Sequence, residues 1–216
     1  MPVDPGTPGQ GDPPRSQREG RSITQAAPGG HIAHFYETRE EWLSLLIPWL
    51  CDGLRSGEKC IYVMNAARDW MEARERLSND GVDIRQALET GRLEIREGCR
   101  DPRELTPAIE AALDAAPVPY RAIRWGGDMV WARDRVASSG TLMHFEIGIN
   151  VHRGRPISFL CQYDLTCFPG YVIMDALRTH PLSIIDGAMH HTPYHQSMDA
   201  FLKALPAREA ARDVPW

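Results

Sequence analysis

The chain has 216 residues, 43% of them hydrophobic, with 24 Lys and Arg against 29 Asp and Glu. That length suggests one domain with a tail, and the apolar content can supply a sizeable core. The net charge of −5 argues against a phosphate-gripping face, and hence against direct nucleic-acid contact. No apolar run nears the roughly 18 residues that cross a bilayer, and the N-terminus lacks the apolar stretch of a secretory signal, so the expected location is the cytoplasm.

Residues 1–30 are rich in Pro, Gly, Ser, Gln and Arg and are expected to be a disordered tail. The body is expected over 31–205, with 206–216 a loosely held C-terminal tail. His31–Tyr36 is a short β-prone run. Thr38 and Glu41 form a capping box, and the helix they open carries Trp42, Leu45, Leu46, Trp49 and Leu50 at helical spacing. Pro48 predicts a kink or an early break, and Gly57 caps the end. Cys60–Met64 reads as a buried strand, 67–77 and 84–89 as amphipathic helices, and Leu93–Ile95 as the next strand.

A helix opens at Asp101 or Pro102 and runs through Ile109 and Leu113. Arg121–Trp125 reads as a strand ending in Gly126-Gly127. Thr141–Val151 suits a helix carrying Glu146 and Asn150, Ile157–Asp164 is the strongest strand, Tyr171–Arg178 is a helix, and Leu182–Ile185 is a last strand. The alternation predicts a three-layer α/β fold, with a mainly parallel sheet and helices on both faces. In such sheets ligands bind beyond the carboxyl ends of the strands. That rule selects Tyr36-Glu37, Asn65, Gly126-Gly127-Asp128, Tyr163-Asp164 and Gly187.

Several segments together resemble the MEDS family of sensory domains. They are His31-Ile-Ala-His-Phe-Tyr-Glu37, Gly53 to Tyr62, Arg124-Trp125-Gly-Gly-Asp-Met-Val-Trp131, Glu146-x-x-x-Asn150, Cys161-Gln-Tyr163-Asp164 and Thr179-His180-Pro181. The resemblance covers about residues 31–195. Asp128 stands where the family pattern leads one to expect Glu. The resemblance implies a RecA/KaiC-like fold and a role in regulation: a stand-alone sensory domain that binds a small organic molecule and acts through a separate output protein, a regulator or a kinase-like chain. No catalytic residue, cofactor or direct nucleic-acid or membrane partner is expected, and a homodimer is left open.

The fold's kinship with ATPases can be tested on the residues. A P-loop needs phosphate-cradling glycines followed by Lys and Ser or Thr. The segment Tyr36-Glu37-Thr38-Arg39-Glu40-Glu41 has no glycine and three carboxylates, so a functional P-loop is not expected. Asp164 sits where a Walker-B acid would, without a phosphate-binding partner. His190, His191 and His195, with or without Cys161 and Cys167, match no familiar zinc spacing, and no metal site is read from them. The five cysteines are odd in number and spread out, which predicts thiols.

Tyr36, Trp125, Trp131 and Tyr163 make an aromatic set near strand ends, with Glu37, Arg124, Asp128, Glu146, Asn150 and Asp164 as polar groups. With His31, Cys161 and His180 these complete the candidate ligand-binding residues, though each polar group could equally serve a structural network. Arg124 is expected beside Glu146 or Asp164. Tyr36, Trp125, Glu146, Tyr163 and Asp164 are expected to converge on one pocket with His31 or His180 at its rim. A ligand-free interaction module and an enzyme using Cys161 and His180 are the alternatives.

Overall fold

The computed structural model describes residues 29–65, 67–115 and 120–212. Of the tail expected over 1–30, residues 1–28 lie outside them, as do 213–216 of the C-terminal tail, while Gly29 and Gly30 bond to Ile157 and Phe159 of the sheet at 2.8 Å. One sheet holds β1 (His31–Tyr36), β2 (Lys59–Met64), β3 (Leu93–Glu97), β4 (Ile123–Asp128), β5 (Ile157–Asp164), β6 (Leu182–Ile185) and β7 (Ala188–His191). The strand order is β3-β2-β4-β5-β1-β6-β7. β1 to β6 pair in parallel, and β7 returns antiparallel to β6. The expected three-layer, mainly parallel architecture is what the chain adopts.

Two-residue alternation sends strand side chains to opposite faces. Ile32, Tyr36, Tyr62 and Leu160 pack under α1 (Arg39–Arg55), α2 (Ala67–Asn79) and α3 (Ile84–Glu89). Ala33, Phe35, Ile61, Phe159 and Cys161 pack under α4 (Thr106–Ala115), α5 (Val130–Arg135), α6 (Ser139–Gly148), α7 (Gly170–Thr179) and α8 (Met198–Ala210). We call these the α1 face and the α6 face.

Local chemistry accounts for most element ends. The Thr38/Glu41 capping box is formed, and Gly57 follows the C-cap at φ +76°. Pro48 lies within α1 without ending it. It is exposed, so the carbonyl its ring leaves unbonded can meet water.

Three expectations change. β4 continues through Gly126-Gly127 to Asp128 instead of stopping at Trp125. A Cβ on Gly126 would lie 2.8 Å from the Tyr62 ring and 3.0 Å from Trp49, so this strand needs a glycine to pass under α1. The stretch containing His190 and His191, for which no element was expected, is an exposed edge strand, turned by Asp186 (φ 50°) and Gly187 (φ 72°). Residues 206–210, expected as loose tail, continue α8. Arg208 and Arg212 both reach the fully buried Asp175 on α7, which also holds Arg178 at 2.9 Å.

Candidate functional site

The most concentrated chemistry lies on the α6 face, inside the molecule. His31 opens β1 and points to this face with Ala33 and Phe35. Cys161 sits in the middle of β5, and β1 pairs with β5 so that Ala33 lies beside it. Glu146 and Asn150 are four apart, which places both on one side of α6 and the 3-10 turn that continues it. His180 is the residue that ends α7. His31, Glu146 and His180 are fully buried, and Cys161 is nearly so.

The distances are short. Glu146 Oε2 lies 3.2 Å from His31 Nε2 and 3.2 Å from His180 Nε2. Cys161 Sγ lies 3.6 Å from His31 Nε2. The two imidazole rings are 3.8 Å apart between centres, and Tyr163 meets His180 edge-on. Burial and the neighbouring His180 push His31 down to about 4. Burial opposes ionisation of Glu146, whereas a proton on Nε2 of His180 or His31 favours it. Burial raises the Cys161 thiol well above its ordinary range, with Glu146 adding to the effect. A thiol so placed is a poor nucleophile by itself.

A narrow cavity opens beside this cluster. Trp125, Met129, Trp131, Phe145 and Phe159 wall it, while Glu146 and Cys161 form its polar end. It is tight: the centre of a water molecule can range over only about 20 Å³ within it. Among the described residues Glu146 Oε1 and Trp131 Nε1, both buried there, have no hydrogen-bond partner, and the buried Tyr163 hydroxyl has none either.

The α1 face carries a second polar group, organised differently. The Trp42 indole donates to Tyr62 Oη at 3.0 Å, and Tyr62 donates to Gln162 Oε1 at 2.6 Å. Gln162 Nε2 then donates to His34 Nδ1 at 2.9 Å and to the Trp42 carbonyl at 3.2 Å. His34 is thereby an acceptor, in keeping with burial lowering it to about 4. At the carboxyl ends of the strands Tyr36 donates to Asp128 at 3.0 Å. Burial raises Asp128 to about 6, against the Val130 amide and the Tyr36 hydroxyl.

The expected single pocket is therefore two sites. Trp125, Glu146, Cys161, Tyr163, His31, Asn150 and His180 share the α6 face, whereas Tyr36, Asp128 and Asp164 belong to the other, because odd and even positions of β1, β4 and β5 point apart. The cluster lies beneath α6 and α7, not beyond the strand ends. Asp164 is occupied by its own turn, accepting from Thr166 N at 2.8 Å. Glu37 is exposed. Arg124 meets neither Glu146 nor Asp164; it pairs with Glu58, donates to the Trp49 carbonyl at 2.6 Å and stacks on the Trp49 ring. Its even position in β4 sends it to the α1 face, away from Glu146. Sequence reasoning did not single out Gln162 or Met129; an amide within an apolar strand was the available signal for Gln162.

Comparison with known proteins gives a consistent picture. The family model described as the methanogen/methylotroph, DcmR sensory domain (MEDS) matches residues 30–181. The transcriptional repressor DcmR of Methylorubrum extorquens is 29% identical over 154 residues, 69% of this chain. The chain spans 57% of that repressor's length. Among solved structures, the flagellar accessory protein FlaH of Methanocaldococcus jannaschii aligns over 79% of this chain and 82% of its own, with a TM-score of 0.55 at 13% identity. The KaiC-like protein PH0186 of Pyrococcus horikoshii aligns over 72% and 70%, with a TM-score of 0.53 at 15% identity. These structural likenesses show a shared KaiC-like fold.

Proposed function

Since the chain belongs to the MEDS family of sensory domains, we propose that it is a non-catalytic sensor whose α6-face cavity takes a small organic molecule, with regulation as its setting. The observation that carries this reading is the pairing of an aromatic cavity with unpartnered polar atoms. Glu146 Oε1 and Trp131 Nε1 offer an acceptor and a donor in an otherwise apolar space. Buried polar atoms normally find partners, and a ligand with one hydroxyl or one N–H-bearing amide could serve both. The cavity's size limits that ligand to a few heavy atoms. A repressor among the relatives supports output at the level of transcription, through a partner chain or a further segment.

Nucleotide is a poor candidate. β1 passes to α1 through Glu37 and Thr38 alone, and the Thr38 and Glu41 side chains already engage the amides there. Magnesium-ATP is expected to give no detectable binding at millimolar concentration.

The test is a thermal-shift screen of small alcohols and amides, comparing the native chain with Gly127→Ala. A ligand that binds only the folded state raises the melting temperature. A Cβ on Gly127 would stand 3.5 Å from Val63 and 3.6 Å from Trp131 Nε1, ordinary contact distances, and would project into the cavity. The variant should fold as well as the parent and lose the response. A hit that shifts both proteins equally would place binding elsewhere, and the absence of any hit would favour an interaction module. The exposed edge strand β7, with Ile185 and Tyr194 open beside it, is the feature that favours that second reading.

A further inference from the structure

When the two buried imidazoles are neutral, their tautomers are fixed by their outer hydrogen bonds. Asn150 Nδ2 donates to the Thr179 carbonyl at 2.8 Å, so its Oδ1 is the atom that faces His31 Nδ1 at 3.1 Å. An amide oxygen only accepts, so His31 carries its proton on Nδ1. His180 Nδ1 lies 2.8 Å from the Ala176 carbonyl, which also only accepts, so His180 does the same. In the neutral rings both Nε2 atoms are then bare lone pairs. Both point at one carboxylate oxygen, Glu146 Oε2, with Cys161 Sγ alongside. Three acceptors meet in a space closed to water, and His180 Nε2 has no aligned hydrogen bond there.

We propose that His31 Nε2, His180 Nε2, Glu146 Oε2 and Cys161 Sγ bind a divalent first-row transition ion of zinc's class. The four atoms lie within 4.8 Å of one another. Tetrahedral zinc with bonds of roughly 2.1 Å to nitrogen and oxygen and roughly 2.3 Å to sulfur has ligand-to-ligand edges of about 3.4 Å for N to O and about 3.6 Å for N to S. The two N to O separations are 3.2 Å and the N to S separation is 3.6 Å. Oriented imidazoles are what metal-binding histidines require: a carbonyl or amide oxygen on the far nitrogen, here from Ala176 and Asn150.

Charge and donor type agree with this assignment. Ligation releases the thiol proton to solvent and forms the metal–sulfur bond. Carboxylate, thiolate and a divalent ion then sum to zero, which suits a buried site. Nitrogen and sulfur donors select against magnesium and calcium. The donors come from β1, β5, α6 and the end of α7, so a filled site ties two helices to the two central strands. This site stands whether or not the neighbouring cavity takes an organic ligand.

The experiment is cobalt(II) titration of the chelator-stripped full chain, read by visible and near-ultraviolet absorption and followed by displacement with zinc. The expected result is one tightly bound equivalent, with the intense d–d bands of a four-coordinate ion and a thiolate-to-cobalt charge-transfer band. Cys161→Ser should abolish that band. Asn150→Ala removes no donor atom and should weaken affinity about 10–100-fold. His190→Ala with His191→Ala should change nothing. No uptake, a six-coordinate spectrum without the thiolate band, or a spectrum unchanged in Cys161→Ser would overturn the assignment. If Cys161→Ser does not fold, the parent spectrum and the Asn150→Ala affinity decide alone.

Discussion

The two faces of the sheet bury polar side chains in opposite ways. On the α1 face, the chain of bonds from Trp42 through Tyr62 and Gln162 to His34 leaves each of those side-chain polar groups engaged. On the α6 face, Glu146 Oε1, Trp131 Nε1 and Tyr163 Oη are buried with no hydrogen-bond partner among the described residues, and His180 Nε2 has only an unaligned contact with Glu146. A satisfied buried network gives the fold rigidity and a unique core arrangement. A set of unsatisfied groups costs stability, a cost that a bound ligand or ion would offset. By that contrast the α1 face reads as structural and the α6 face as functional, and mutations can separate the two.

The largest effect is expected on the α1 face. Gln162→Leu would strand the Tyr62 hydroxyl and His34 Nδ1 together, each at about 1–3 kcal/mol. Denaturant unfolding should show a loss of at least about 2 kcal/mol, with cobalt uptake unchanged in whatever fraction folds. A loss under about 1 kcal/mol would mean the network is dispensable and the contrast false.

Next comes a pH effect from Asp128. Its carboxyl rises from 3.8 to about 6, so the folded state holds a proton that the unfolded chain has released between those values. That contribution is fully present below about pH 4 and is lost as pH rises through about 6. The change is about 3 kcal/mol at 1.36 kcal/mol per pH unit. Asp128→Asn keeps the acceptor for Tyr36 and the Val130 amide. It should remove this part of the stability-versus-pH curve and leave the variant more stable than the parent at pH 7. An unaltered curve would show that Asp128 is not the group responsible.

Arg124→Met should cost less, about 1–2 kcal/mol, because it leaves the Trp49 carbonyl and Glu58 without their cation. Neither the cobalt spectrum nor any ligand response should change, since Arg124 lies across the sheet from the cluster. A weakened metal site in this variant would contradict the separation of the faces.

How much of this was legible in the sequence follows from the range of the interactions. Ile157–Asp164 and Leu182–Ile185 are short apolar runs between breakers, and their bounds could be read residue by residue. The capping box placed the start of α1 for the same local reason. The Asp186-Gly187 turn was also a local signal, a favoured two-residue hairpin pair, and β7 could have been read from it. β4 was cut short because Gly126 serves a contact with Tyr62, more than 60 positions away, that no local pattern encodes. The cluster members His31, Glu146, Asn150, Cys161 and His180 were singled out individually. Their meeting point beneath α6 depended on strand parity and helix placement, and His31 and His180 stand nearly 150 positions apart. The donor set escaped a zinc reading because such readings rely on close pairs, and here each donor comes from a different element.

The smallest expected change in stability is the most discriminating one, Glu146→Gln. In the chelated protein both histidines present lone pairs to Glu146 Oε2 from 3.2 Å. A carboxamide turned with its nitrogen at that position offers two N–H donors, one toward each imidazole, and leaves Oε1 facing the cavity as before. The variant should therefore be as stable as the parent in chelator, or more stable by about 1 kcal/mol, the net worth of one new hydrogen bond. Metal affinity should collapse, because a neutral amide is a weak ligand and the charge balance of the filled site is lost. The two outcomes together would mark Glu146 as a residue held against stability for binding. The opposite reading makes Glu146 the structural partner of a protonated imidazole. Gln would then break a buried ion pair and cost roughly 3–5 kcal/mol. Unfolding curves in chelator distinguish these outcomes by sign, and a large loss would move the α6 cluster into the same class as the Gln162 network.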